Sequence, residues 1–238
     1  MELLPGIHRI PGVWLTNAYL LVEDHQLTLI DAGLPGNGKT ITRYIQSLGR
    51  EPQELTRIVL THGHPDHVGP LPRLAQLTNA SVLAHPQETS QNPQRRLRRA
   101  YRFRPLFTPI TADQLIEDSQ TLPVLGGLQV LHTPGHTPGS VCLFLPDRGV
   151  LFAGDTLLSD GHLFRRALIL PGTNFKDYRA SVEWLAELNF ETALCGHDQP
   201  LLKGGTAAVK DMLANYSWLT PRWRSLKRRV RSRLPGLD

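Results

Sequence analysis

The chain has 238 residues, of which 40% are apolar and 20% charged, with a net charge of +5; that is enough for one large domain or two small ones with ample core. Two cysteines, Cys142 and Cys195, exclude a disulfide framework and a thiolate zinc cluster, which fits a reducing compartment. The opening Met-Glu-Leu-Leu-Pro-Gly has no basic stretch before a long apolar one, and no later apolar run is long enough to span a bilayer, so a cytoplasmic protein is expected.

In chain order, residues 7–10, 13–22 and 27–30 read as a strand meander, separated by the turn signals Pro11-Gly12 and Glu23-Asp24 and ending on Asp31-Ala32-Gly33. Ile41, Tyr44, Ile45 and Leu48 follow at helical spacing, with Gly49 as a C-cap. A strand over 58–60, a helix marked by Leu71, Leu74 and Ala75, and a strand over 81–84 complete an α/β first half. Six arginines then fall in residues 92–104 with no acid among them. Strands over 128–132, 141–145 and 150–153 come next, the last two joined by Pro146-Asp147-Arg148-Gly149. Tyr178, Val182, Leu185 and Leu188 mark a helix, and a strand over 191–195 ends on Gly196-His197-Asp198. Each half runs through strands and a helix to a strand ending in ligand-type residues, which suggests an internal pseudo-repeat. A last amphipathic helix carries Leu219, Trp223, Leu226 and Val230, with seven Lys or Arg between residues 218 and 234. The two basic segments hold 13 of the 26 basic residues, leaving 13 against 21 acids elsewhere, so the body is acidic.

Residues 57–69 read Arg-Ile-Val-Leu-Thr-His-Gly-His-Pro-Asp-His-Val-Gly and place His62, His64, Asp66 and His67 within six positions. If the chain stays extended past the strand, His62 and His64 point the same way, because side chains alternate with period two, and both can reach one ion. Pro65 suits a helix start, which sets Asp66 and His67 at a helix N-terminus, placed for a second ion. Such a cluster is the pattern of a metal site and not of a solvated loop.

Three later strand ends carry further candidates: His136 in Thr-Pro-Gly-His-Thr-Pro-Gly (133–139), Asp155 in Phe-Ala-Gly-Asp-Thr (152–156), and His197. In order and spacing these motifs, with Asp31, resemble the metallo-β-lactamase superfamily from Asp31 to His197. The resemblance implies a four-layer αββα sandwich of class α/β, called α+β in some schemes. It implies that His62, His64 and His136 hold one metal ion and that Asp66, His67 and His197 hold a second. Asp155 would bridge the two ions, and Asp31 would brace the ligand loops without binding metal. Five imidazoles and two carboxylates with no soft ligand suit two divalent ions, zinc best, with iron and manganese also acceptable. Two such ions sharing a water would lower its pKa from about 15.7 towards about 7 and clamp a developing oxyanion, with Asp66 orienting the bridging hydroxide or taking its proton. A dinuclear metal-dependent hydrolase of a small ester-type bond is expected, a thioester or lactone.

Departures from the subfamilies narrow the field. The stretches 133–139 and 154–156 look like those of glyoxalase II-like thioesterases, but only 41 residues follow His197, too few for those enzymes' helical C-terminal domain. Familiar lactonases carry a tyrosine three residues after the bridging aspartate, where this chain has Leu158. The diiron redox members carry a carboxylate where this chain has His64, and mononuclear-iron persulfide dioxygenases carry Arg-Thr-Asp where it has His162-Leu-Phe-Arg165-Arg166. A phosphodiesterase or nuclease of the same superfamily remains an alternative because of the arginines, as does the dioxygenase. A binding protein that keeps only the fold is disfavoured by the complete ligand set.

For substrate contacts the candidates are His162, Tyr101, Arg165 and His85, against capping or packing for His85; His132 is expected to be structural, and His8 and His25 to lie on the surface. Residues 1–217 form the expected catalytic domain, with 92–104 as an Arg-rich insertion and candidate lid that attracts an anionic substrate. Residues 218–238 are the basic helix and tail, expected to dock on the acidic body or on a second copy in a homodimer and not on nucleic acid or a membrane. The expected partner is a small-molecule substrate.

Overall fold

The computed structural model describes residues 1–89, 110–167, 170 and 172–215. The Arg-rich insertion, Tyr101 and the basic C-terminal helix lie outside the described residues.

The first sheet has seven strands in sequence order: β1 (Glu2–Leu4), β2 (Ile7–Arg9), β3 (Tyr19–Val22), β4 (Leu27–Ile30), β5 (Leu55–Val59), β6 (Ser81–Ala84) and β7 (Gln114–Leu115). β1 to β4 form an antiparallel meander, and β4 to β7 pair in parallel. Parallel neighbours need crossovers, and helix α1 (Gly38–Ser47) supplies the one from β4 to β5. Gly49, just past that helix, has φ of 72°, which a glycine adopts without the Cβ penalty. The short helix α2 (Pro65–Val68) and α3 (Leu71–Leu77) link β5 to β6.

The second sheet, in the order β14-β11-β10-β9-β8, comprises β8 (Thr121–Leu122), β9 (Leu128–His132), β10 (Val141–Leu145), β11 (Val150–Gly154) and β14 (Thr192–Cys195). It too is an antiparallel meander closed by one parallel pair, β11 with β14, after helix α4 (Phe175–Leu185). A three-stranded sheet of β12 (Leu158–Asp160), β13 (Phe164–Arg165) and β15 (Asp198–Gln199) sets the 158–165 hairpin against the residues after His197. Helix α5 (Gly205–Asn215), with no counterpart in the sequence reading, follows.

Because strand side chains alternate, neighbouring residues serve different layers. Tyr19, Leu21, Ile30, Val59 and Leu83 face Val130, Val141, Leu143, Phe152 and Leu194 across the two sheets. Their neighbours Leu20, Leu29, Ile58 and Val82 turn outward onto Ile41 and Ile45 of α1 and Leu74 of α3. On the far side Cys142, Phe144, Leu151, Ala153 and Cys195 pack on Tyr178, Val182 and Leu185 of α4 and Val209 and Met212 of α5. The result is the expected αββα sandwich, with each fully buried large apolar side chain contributing about 1.5–3 kcal/mol.

Three expectations are corrected. Residues 13–18 are not strand: Leu15 has φ of 72°, and the backbone here bonds to residues near His197 in place of a sheet ladder. His8 is buried and not on the surface, with Nδ1 3.0 Å from the Tyr44 hydroxyl. The strand expected at 58–60 covers Leu55–Val59, leaving Leu60 and Thr61 to lead into the histidine loop.

Candidate metal centre

The seven sequence-nominated donors all leave from strand ends at one edge of the sandwich. Four of them, His62, His64, Asp66 and His67, follow β5; His136 sits between β9 and β10, Asp155 follows β11, and His197 follows β14. They converge as two groups able to hold a cation, His62, His64, His136 and Asp155 in one and Asp66, His67 and His197 in the other, with the donor atoms of each group within 4.8 Å of one another. The first, inner group is wholly buried; in the second, outer group the side chains of His197 and Asp66 are 21% and 22% exposed.

In the inner group His64 Nδ1 lies 2.9 Å from His62 Nε2 and 3.0 Å from His136 Nε2. One N–H cannot lie along both lines, whereas three imidazole nitrogens about 3.3 Å apart are what a tetrahedral ion with bonds of about 2.0–2.1 Å brings together. Asp155 spans both groups. Its Oδ2 lies 3.4 Å from His136 Nε2, 3.9 Å from His62 Nε2 and 3.2 Å from His197 Nε2, and its Oδ1 lies 3.4 Å from His67 Nε2. His67 Nε2 and Asp155 Oδ1 are buried without a hydrogen bond, a costly state for polar atoms that a cation between them would relieve. The residues present therefore fit a pair of divalent ions.

The tautomers are set from behind. Asp31, 2% exposed, accepts from the Thr61 N–H at 2.9 Å through Oδ1, and from the Thr61 hydroxyl at 2.7 Å and His67 Nδ1–H at 2.8 Å through Oδ2. With its hydroxyl proton given to Asp31, Thr61 Oγ1 accepts from His62 Nδ1–H at 3.1 Å. His197 Nδ1–H donates to the Leu15 carbonyl at 2.9 Å. In His62, His67 and His197 the Nε2 lone pair is thereby aimed at the centre.

Charge follows the same plan. Burial, then the imidazoles of His67 and His64, hold His62 well below the ordinary imidazole range, and burial lowers His136. Burial also opposes a proton on His67, but Asp31 and Asp155 outweigh it and raise His67 well above that range. His197 is raised against burial by its contact with Asp155. Burial would raise Asp155, yet His67 and His197 hold its carboxyl well below the usual range. The carboxylates demand positive charge, which a divalent cation meets.

The other described candidates lie outside the two donor groups. His162 is exposed in the β12–β13 hairpin, where its N–H donates to Asp160 Oδ1 at 3.1 Å. Arg165 pairs with Asp198 at 3.2 Å, beside His197. His85 is 8% exposed and stacked on His132, ring centroids 4.1 Å apart, with Nδ1 accepting from the Gln87 N–H, contacts that pack the ring and cap the turn. His132 Nε2 reaches the Pro138 carbonyl at 3.0 Å, a structural contact to the 133–139 loop. The sequence reading missed the 15–17 segment, in which Thr16 Oγ1 donates to the Asp66 carbonyl at 2.7 Å and Asn17 Nδ2 to the Cys195 carbonyl at 2.9 Å. It also missed Glu88, whose one signal was an acid placed shortly after the strand over 81–84; the residue ends the 3-10 turn Pro86–Glu88.

A family model described as "Metallo-beta-lactamase superfamily" matches residues 11–197. Among curated proteins, YobT of Bacillus subtilis (strain 168), described as uncharacterized, is 35% identical over 61% of this chain and 63% of its own length, so this match leaves out over a third of it. The probable metallo-hydrolase YflN of the same organism is 28% identical over 84% of this chain and 86% of its own. Thioesterase pkgB of Emericella nidulans is 27% identical over 83% of this chain and 49% of its own. Among solved structures, the metallo-beta-lactamase family protein TTHA1429 from Thermus thermophilus superposes with a TM-score of 0.71 at 26% identity, covering 99% of this chain and 85% of that one.

Proposed function

We propose that this chain, which belongs to the metallo-β-lactamase superfamily and is a metal-dependent hydrolase, holds two divalent cations between its seven converging donors and cleaves a small ester-type bond, a thioester or lactone. The observation that carries the reading is Asp155, which faces three imidazole nitrogens through Oδ2 and His67 through Oδ1 and so joins the two donor groups. The donor set has no soft ligand, which favours zinc. A relative described as a thioesterase supports the thioester.

When bound, two such ions supply Lewis-acid polarisation of the scissile carbonyl and a water acidic enough to ionise near neutral pH. The chain's own residues supply the rest. Asp66, partly exposed and with Oδ2 3.5 Å from His197 Nε2, is placed to orient the attacking water and take its proton. Asp155, buried among the imidazoles, holds the two groups at fixed separation. Asp31 and the Leu15 carbonyl hold His67 and His197 in the ligating tautomer. The hairpin carrying His162 and Arg165, joined to β15 beside His197, forms the rim that a substrate would meet.

Metal analysis of the purified protein, combined with thiol release from a panel of acyl thioesters and ring opening of lactones, tests the reading. Two divalent ions per chain are expected, with a rate abolished by a chelator and restored by zinc. One iron per chain, with oxygen consumed on a persulfide, would overturn it.

A further inference from the structure

Glu88 is 1% exposed and lies in the 3-10 turn after β6, 21 or more positions from every candidate ligand. Its Oε2 accepts from the Gly63 N–H at 2.7 Å, and its Oε1 accepts from the Gly139 N–H at 2.9 Å. Gly63 is the residue between His62 and His64; Gly139 closes the loop that carries His136. One buried carboxylate thus grips both loops whose imidazoles meet at the inner group, one from each half of the chain. The room for it is built in, since a Cβ on Gly139 would lie 2.7 Å from Glu88 Cγ and 2.9 Å from Oε1.

We propose that Glu88 is a positioning residue for the inner ion, tying the 62–64 loop to the 136–139 loop so that His62, His64 and His136 keep a common focus. The inference rests on the dinuclear reading above and adds a residue that it does not use. Asp31 braces the outer side through the His67 ring nitrogen and the Thr61 hydroxyl and N–H, whereas Glu88 reaches the two loops through the backbone N–H groups of Gly63 and Gly139. A carboxylate bound by two oriented N–H donors is held in place by both, and the loops are held by it in turn.

The test measures metal binding by chelator competition and by the visible spectrum of the cobalt-substituted protein. Glu88→Gln keeps the volume but one acceptor only, setting an NH2 group against one of the two backbone N–H donors. It is expected to weaken one of the two ions by about 10–100-fold, shift the cobalt bands of that ion, and leave the other unchanged. Gly139→Ala displaces the carboxylate from the opposite side and is expected to do the same. Glu23→Ala serves as the control: Glu23 Oε1 accepts from the Leu125 N–H at 3.0 Å, away from the donors, and loss of that bond should lower the melting temperature without moving either affinity. Wild-type affinities in both site variants would overturn the proposal, as would loss of both ions in step with the melting temperature. A wild-type protein that binds a single ion would instead defeat the dinuclear reading, while the effect of Glu88→Gln on that ion would still be read.

Discussion

Asp31 and Asp155 are two buried carboxylates at the ends of comparable strands, β4 and β11, each strand paired in parallel with the one that delivers the next group of donors. They differ in what surrounds them. Both oxygens of Asp31 are taken by Thr61 and His67. Asp155 Oδ1 packs against Gly196, where a Cβ would collide with it and with His67 Cε1, and it accepts no hydrogen bond. On the proposed reading, a carboxylate filled by protein donors acts as a brace, and one left facing imidazole nitrogens acts as a ligand. The difference lies in the neighbours, not in the aspartate.

The sharpest way to break this contrast is to remove each carboxylate in turn. Asp155→Ala should cost several kcal/mol of transition-state stabilisation, a fall in kcat/KM of about 10³–10⁴-fold, and reduce the bound metal. Asp66→Ala comes next, with a loss of about 10²-fold or more in kcat and a weakened outer ion. Asp31→Asn retains the shape and one acceptor but turns an NH2 group towards groups that donate, so metal affinity or activity should fall by about 10–100-fold. It should also lower the melting temperature of the metal-free protein, because Thr61 and His67 lose partners they have whether or not an ion is present. Equal metal loss in Asp31→Asn and Asp155→Ala, measured by stoichiometry, would erase the distinction between brace and ligand.

The sequence exposes the ligating side of this contrast better than the bracing side. His62, His64, Asp66 and His67 lie within six residues, and Asp155 and His197 end apolar runs, so local pattern is enough to nominate them and the structure brings them together. The strands and helices are legible from their apolar runs, but the four-layer sandwich followed from the family resemblance, since β10 and β11 are apolar on both faces and their pattern does not assign a residue to a layer. What holds the donors is long-range. The Leu15 carbonyl serves His197 from 182 positions away, and a main-chain acceptor has no residue type to recognise. Glu88 reaches 25 and 51 positions to two glycine N–H groups, which likewise leave no mark on composition. The apolar residues of 13–18 read as strand because pattern cannot show that their backbone groups are spent on the centre.

The stacked pair His85 and His132 sharpens the comparison from the other side, being two close imidazoles with no carboxylate saturating either ring among the described residues. Burial first, and the His132 ring second, lower His85 to about 4 from 6.5, with Asp118 opposing weakly. Above pH 6.5 the ring is neutral in the folded and unfolded chain alike, so it adds no pH dependence there. Between 6.5 and about 4 the unfolded chain takes up a proton that the folded chain refuses, and stability must fall as the pH drops through that window. His85→Phe keeps a stacking ring, gives up the bond from Gln87 N–H, and removes the proton. Its melting temperature should therefore start slightly below that of the native chain at neutral pH and decline less steeply on acidification. Parallel slopes for the two proteins would show that burial is not what sets His85 apart from His67, whose proton is held by carboxylates on both sides.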